Sequence, residues 1–75
     1  MIEIYGKTAC PYCDQAKRVC EAKGLDYVYK MLDQDFTREE VLEQFPGART
    51  FPQIKVDGKA IGGFQELQNY LKEAI

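Results

Sequence analysis

Histidine is missing from all 75 residues of this chain, so no imidazole can serve as the base that activates a nucleophile. Cysteine is sparse, with three in all, and without histidine they cannot complete the four-ligand set of a structural zinc site. No apolar stretch approaches the roughly 20 residues that a membrane-spanning helix needs. Met1 is followed by the acidic, alternating Ile2-Glu3-Ile4-Tyr5, not by the basic run and apolar block of a signal peptide. These absences predict a cytoplasmic chain with no membrane association. The 10 Lys and Arg are dispersed among 12 Asp and Glu, for a net charge of -2, which leaves no basic face for nucleic acid.

What is present is ordinary for a folded protein, with 45% hydrophobic and 29% charged residues and nothing of the composition of a disordered chain. The length predicts a single domain over residues 1–75, large enough to hold a modest core. No linker, repeat or low-complexity segment divides it.

Ile2 to Tyr5 alternates and is rich in strand formers, predicting a first strand that ends at Gly6. After Cys10, Ala16, Val19 and Cys20 recur at helical spacing, with Asp14, Lys17, Arg18 and Glu21 on the other faces and Gly24 as a stop. Asp26 to Leu32, through Tyr27-Val28-Tyr29 and Met31-Leu32, predicts a second strand, parallel to the first across a right-handed crossover. Thr37-Arg38-Glu39-Glu40 has the form of a capping box, followed by Val41, Leu42 and Phe45 as an apolar stripe and by Pro46-Gly47 as a terminator. Gln53 to Val56 and Lys59 to Ile61 flank Asp57-Gly58, a hairpin turn, so the third and fourth strands are expected to be antiparallel neighbours. A last helix follows Gly62-Gly63, with Leu67, Tyr70, Leu71 and Ala74 along one side.

The chemistry concentrates in Lys7-Thr-Ala-Cys-Pro-Tyr-Cys13. Pro11 suits a first helical position because it has no N–H to leave unpaired, which makes Cys10 the N-cap. There its sulfur faces free backbone N–H groups and the positive end of the helix dipole, both of which favour thiolate over thiol. Lys7 adds a nearby positive charge. Cys13, one turn into the helix, would lie deeper and could attack a mixed disulfide formed on Cys10.

A magnitude indicates what such a setting is for. Taking a thiol's pKa from about 8.5 to about 5 raises its thiolate fraction at neutral pH roughly 30-fold, while a Brønsted slope of about 0.4–0.5 takes back a similar factor in nucleophilicity. Attack therefore gains little, whereas departure improves, and the sulfur suits rapid turnover of mixed disulfides. The competing readings of the pair are weaker: zinc lacks a second pair of ligands, and a loop this short removes little unfolded-state entropy if it is closed merely for structure. Cys20 falls on the apolar side of its helix and reads as a small buried hydrophobe, with a secondary redox-sensitive thiol as its minor alternative.

Cys-Pro-Tyr-Cys at a helix start, Thr50-Phe51-Pro52 before the third strand and Gly62-Gly63 before the last helix, in that element order, make the chain resemble a glutaredoxin of the dithiol class along essentially its whole length. The resemblance implies an α/β thioredoxin-like fold, a four-stranded mixed sheet with three helices on both faces. It also implies a glutathione-dependent thiol-disulfide oxidoreductase in which Cys10 is the nucleophile and Cys13 the resolving thiol. Tyr12 would flank glutathione and Lys7 would face its glycyl carboxylate. Thr50, Phe51 and a cis Pro52 would run beside the site, the Phe51 backbone pairing with the cysteinyl part. Gly62 and Gly63 permit close backbone approach, and the N–H groups of Phe64 and Gln65 would form an anion site for the γ-glutamyl carboxylate. Arg49 is either a further charge near the site or a solvated one.

Two positions depart from the family pattern: Phe51 stands where many members carry valine, and Gln65 where many carry an acid. The first predicts a narrower groove and the second a weaker grip on the glutamyl ammonium. No bound cofactor or metal is expected; glutathione enters as co-substrate, and the partners are disulfide-containing or glutathionylated proteins, met by a monomer. A second possibility is an electron donor to ribonucleotide reductase recharged by thioredoxin reductase. A third, a pair of chains holding an iron-sulfur cluster through Cys10 and glutathione, fits poorly with a second cysteine and with Pro11.

Overall fold

The computed structural model describes the backbone of residues 1–73 and the side chains of residues 1–72. In chain order the elements are β1 (Ile2–Gly6), α1 (Pro11–Ala22), β2 (Tyr27–Met31), α2 (Arg38–Gln44), β3 (Gln53–Val56), β4 (Lys59–Gly62) and α3 (Phe64–Glu73). The strands form one mixed sheet in the order β2-β1-β3-β4. β1 runs parallel to β2, with Ile4 opposite Tyr29, and antiparallel to β3, with Ile4 opposite Ile54. The hairpin β3–β4 turns through Asp57 and Gly58, both at positive φ (51° and 84°), the conformation in which a two-residue turn matches strand twist.

The alternation along β1 sends its side chains to two cores. Ile2 and Ile4 join Ile54, Val56, Ala16, Cys20, Leu67 and Leu71 beneath α1 and α3. Tyr5 faces the opposite side with Phe36, Val41 and Phe45 beneath α2, and its ring meets Phe36 and Phe45 edge-on at 5.0 and 5.3 Å. The Tyr5 hydroxyl is tied in there, 3.1 Å from Gln44 Oε1 and accepting from Lys30 Nζ at 3.4 Å, while Lys30 also donates to Glu3 at 3.3 Å.

The expected mixed sheet with helices on both faces is present, as is the reciprocal Thr37–Glu40 capping box. Two expected core residues are not: Leu42 is 41% exposed and Tyr70 is 39% exposed. Two residues four apart fill each seam against the sheet, Val41 in α2 with Phe45 at its C-cap, and Leu67 with Leu71 in α3. The neighbouring residue is turned about 100° around the axis and clears it. Cys20 is fully buried, and burial, followed by the charge of Glu21, pushes its thiol up. Ala74 lies outside the described residues.

Candidate active site

The site forms where the first turns of α1 and α3 meet the segment before β3. Ala9 takes a left-handed conformation, φ 54°, uncommon for a residue with a Cβ, and the next residue, Cys10, enters the N-cap of α1 with extended φ and ψ. Its Sγ accepts the Cys13 backbone N–H at 3.2 Å and lies 3.8 Å from the Phe51 carbonyl oxygen. Cys10 is 7% exposed and Cys13 is fully buried, so one sulfur is within reach of a substrate and the other is beneath it. The two are joined as a disulfide with Cα atoms 5.2 Å apart, the oxidised state of the pair.

Beside Cys10 runs an open groove of about 370 Å³ lined by Tyr12, Thr50, Phe51, Pro52, Gly63, Phe64, Gln65 and Glu66. The Tyr12 and Phe64 rings form one end, with centroids 5.8 Å apart. The peptide bond between Phe51 and Pro52 is cis. At the other helix start, Gly63 is the cap: its carbonyl accepts the Leu67 N–H at 3.0 Å and its own N–H donates to Glu66 Oε1 at 2.7 Å. A cap without a side chain leaves the following N–H groups open to an anion. Glycine is required before it as well, since Gly62 has φ 118° and a Cβ there would stand 2.8 Å from Glu66 Cγ.

Seven of the eight residues expected around glutathione therefore line a single groove. Lys7 is the exception: its ammonium sits 5.9 Å from the centre of the Phe51 ring, in an adjoining hollow of about 150 Å³ shared with Arg38, Arg49, Thr50 and Phe51. None of these three cations is in an ion pair among the described residues. Glu66 was legible as the acid next to Gln65, though not its folding back onto the Gly63 N–H; Arg38 was not visible as a neighbour of the site, because its place depends on how α2 packs. Gln65 donates to Asn69 Oδ1 at 3.4 Å, along its own helix. Among the described residues no three cysteine, aspartate or glutamate side chains converge as a metal site.

A buried cysteine behind a helix-capping one, with a cis-proline segment at its side in a mixed α/β sheet, defines a thioredoxin-like thiol-disulfide oxidoreductase. The family profile described as Glutaredoxin matches residues 2–61. Glutaredoxin 3 of Escherichia coli (strain K12) is 36% identical over 66 residues, spanning 88% of this chain and 80% of that protein. The solved structure of reduced Escherichia coli glutaredoxin superposes with a TM-score of 0.83 at 30% identity, covering 96% of this chain and 93% of that one. A buckwheat glutaredoxin solved in complex with glutathione superposes with a TM-score of 0.81 at 29% identity, covering 97% of this chain and 69% of that one. The chain belongs to the glutaredoxin family, and its chemistry is thiol-disulfide exchange.

Proposed function

We propose that this chain, as one domain over residues 1–75, is a glutathione-dependent reductase of protein disulfides and glutathione mixed disulfides, acting as a monomer in the cytoplasm. The observation that carries this reading is the Cys13 N–H donating to Cys10 Sγ at 3.2 Å, beside a groove lined by Tyr12, Thr50, Phe51, Pro52, Gly63, Phe64 and Gln65. In the reduced enzyme that N–H and the α1 dipole stabilise a Cys10 thiolate. The thiolate attacks one sulfur of a substrate disulfide and expels the other as a thiolate, which takes up a proton. The mixed disulfide on Cys10 is then opened by Cys13 or by glutathione. When Cys13 attacks, the Cys10–Cys13 bond forms, the Cys10–substrate bond breaks, and the substrate leaves reduced. The same stabilisation that favours the Cys10 thiolate makes it a good leaving group when glutathione recharges the enzyme.

The groove supports glutathione as the co-substrate. The Phe51 backbone lies against Cys10 where it can pair with the cysteinyl unit, the open N–H groups at the start of α3 suit the γ-glutamyl carboxylate, and Lys7 suits the glycyl carboxylate. A Cys13→Ser variant tests the division of labour: exchange on glutathione mixed disulfides persists, while reduction of protein disulfides falls by at least tenfold. Equal loss of both activities would overturn it.

One feature favours the second reading, an electron donor to ribonucleotide reductase recharged by thioredoxin reductase. Gln65, where many family members carry an acid, is bonded to Asn69 and offers the glutamyl ammonium no charge. Turnover with glutathione and glutathione reductase, set against turnover with thioredoxin reductase, separates the two.

A further inference from the structure

Gly6, the last residue of β1, has no room for a side chain. A Cβ there would collide with the Tyr29 hydroxyl oxygen, stand 2.7 Å from Tyr29 Cζ and lie 3.2 Å from the Cβ of Cys13. The tip of Tyr29, reaching over from β2, and the Cβ of Cys13 thus both border the space that the missing Gly6 side chain leaves, with no hydrogen bond between the two residues in the oxidised pair. The ring is held from the helix side as well, with Lys17 Nζ 5.0 Å from its centre.

The chain's tyrosines are not equivalent. The Tyr5 hydroxyl is engaged with Gln44 and Lys30, and Tyr27 donates to Glu21 Oε2 at 2.9 Å. Among the described residues no hydrogen bond holds the Tyr29 hydroxyl; burial and then the Asp14 carboxylate push this phenol up, so it keeps its proton and remains a donor. Cys13 is fully buried and has no histidine in the chain to take its proton. Its thiolate, which must form before it can attack, is the costly state in this mechanism.

We propose that Tyr29 is a positioning residue for resolution, its hydroxyl donating a hydrogen bond to the Cys13 sulfur as that sulfur becomes a thiolate and attacks the mixed disulfide on Cys10. Tyr29 itself is neither oxidised nor deprotonated. The Cys13 proton passes to the departing substrate thiolate through solvent, the Cys10–Cys13 bond forms, and the Cys10–substrate bond breaks. Gly6 is part of the device, because any larger residue there would push the phenol away.

This rests on the assignment of Cys13 as the resolving thiol. The test is single-turnover resolution of a preformed mixed disulfide between Cys10 and a small thiol-containing protein. It is run on wild type, Tyr29→Phe, and protein carrying 3-fluorotyrosine at position 29, with Cys13→Ser as reference. Tyr29→Phe keeps the ring and removes the donor, so resolution slows about tenfold, the scale of one hydrogen bond to a charged group. Glutathione-mixed-disulfide exchange in the Cys13→Ser background is unchanged by it. Fluorotyrosine, a stronger donor of nearly the same size, resolves at least as fast as wild type. A Tyr29→Phe rate equal to wild type overturns the proposal, as does an equal slowing by both substitutions, which would mean packing alone. If Cys13→Ser resolves as fast as wild type, the assignment of Cys13 fails and the proposal falls with it.

Discussion

At the scale of the residue, three cysteines in one short segment have three environments. Cys10 caps α1 and accepts an N–H; Cys13, one turn on, is fully buried behind it; Cys20, two turns further, is fully buried among aliphatic side chains. Burial raises the Cys20 thiol above its ordinary value, and a group whose folded-state pKa is raised supports the fold until the unfolded thiol ionises. Stability is therefore full below about pH 8.5 and declines as pH rises through and beyond it. Urea midpoints measured at neutral pH and above pH 9 will fall more for wild type than for Cys20→Ala; an identical fall would mean that Cys20 ionises alike in the folded and unfolded states. The N-cap position of Cys10 and the burial of Cys20 were readable from spacing and from the position of Pro11. The meeting of Gly6, Tyr29 and Cys13 was not, because it joins residues from two strands and a helix, and a glycine at a strand end reads locally as a terminator.

At the scale of the element, the starts of α1 and α3 border the candidate site and the start of α2 stands apart from it. The α2 start is a capping box, Thr37 accepting from Glu40 N–H at 3.2 Å and Glu40 accepting from Thr37 N–H at 2.9 Å. It supports a seven-residue helix that is too short to stand on propensity alone. Thr37→Ala should cost about 1 kcal/mol, a fall in melting temperature of roughly 4–8 °C for a domain of this size, with Cys10 alkylation unchanged. A melting temperature within a degree of wild type would show that the stability of α2 comes from Val41 and Phe45 instead. This box, the Asp57-Gly58 hairpin and the Pro11 start were all legible because each is a local pattern. Leu42 and Tyr70 were misplaced because periodicity gives a stripe but not its width, which the seam against the sheet sets. Phe36, 4% exposed, belongs to the α2 core without any periodic signal, lying in a loop and reaching the sheet through a bridge to Leu32.

At the scale of the whole molecule, the mixed sheet brings two helix N-termini to one groove. α1 and α3 pack on the same face, and their first turns contribute Tyr12 on one side and Gly63, Phe64 and Gln65 on the other. Lys7, Arg38 and Arg49 close the adjoining edge. An acidic chain with net charge -2 thus gathers three cations and two helix starts beside one groove. Glutathione dependence, the division between Cys10 and Cys13 and the ease of mixed-disulfide turnover all follow if Cys10 is a stabilised thiolate. The direct measurement is the rate of Cys10 alkylation in reduced protein as a function of pH, followed on the peptide that contains it. The account predicts a midpoint well below the roughly 8.5 of a free thiol, with substantial reactivity persisting into mildly acidic buffer. A midpoint at the free-thiol value would contradict it, since the N-cap position and the Cys13 N–H would then provide no stabilisation to the sulfur.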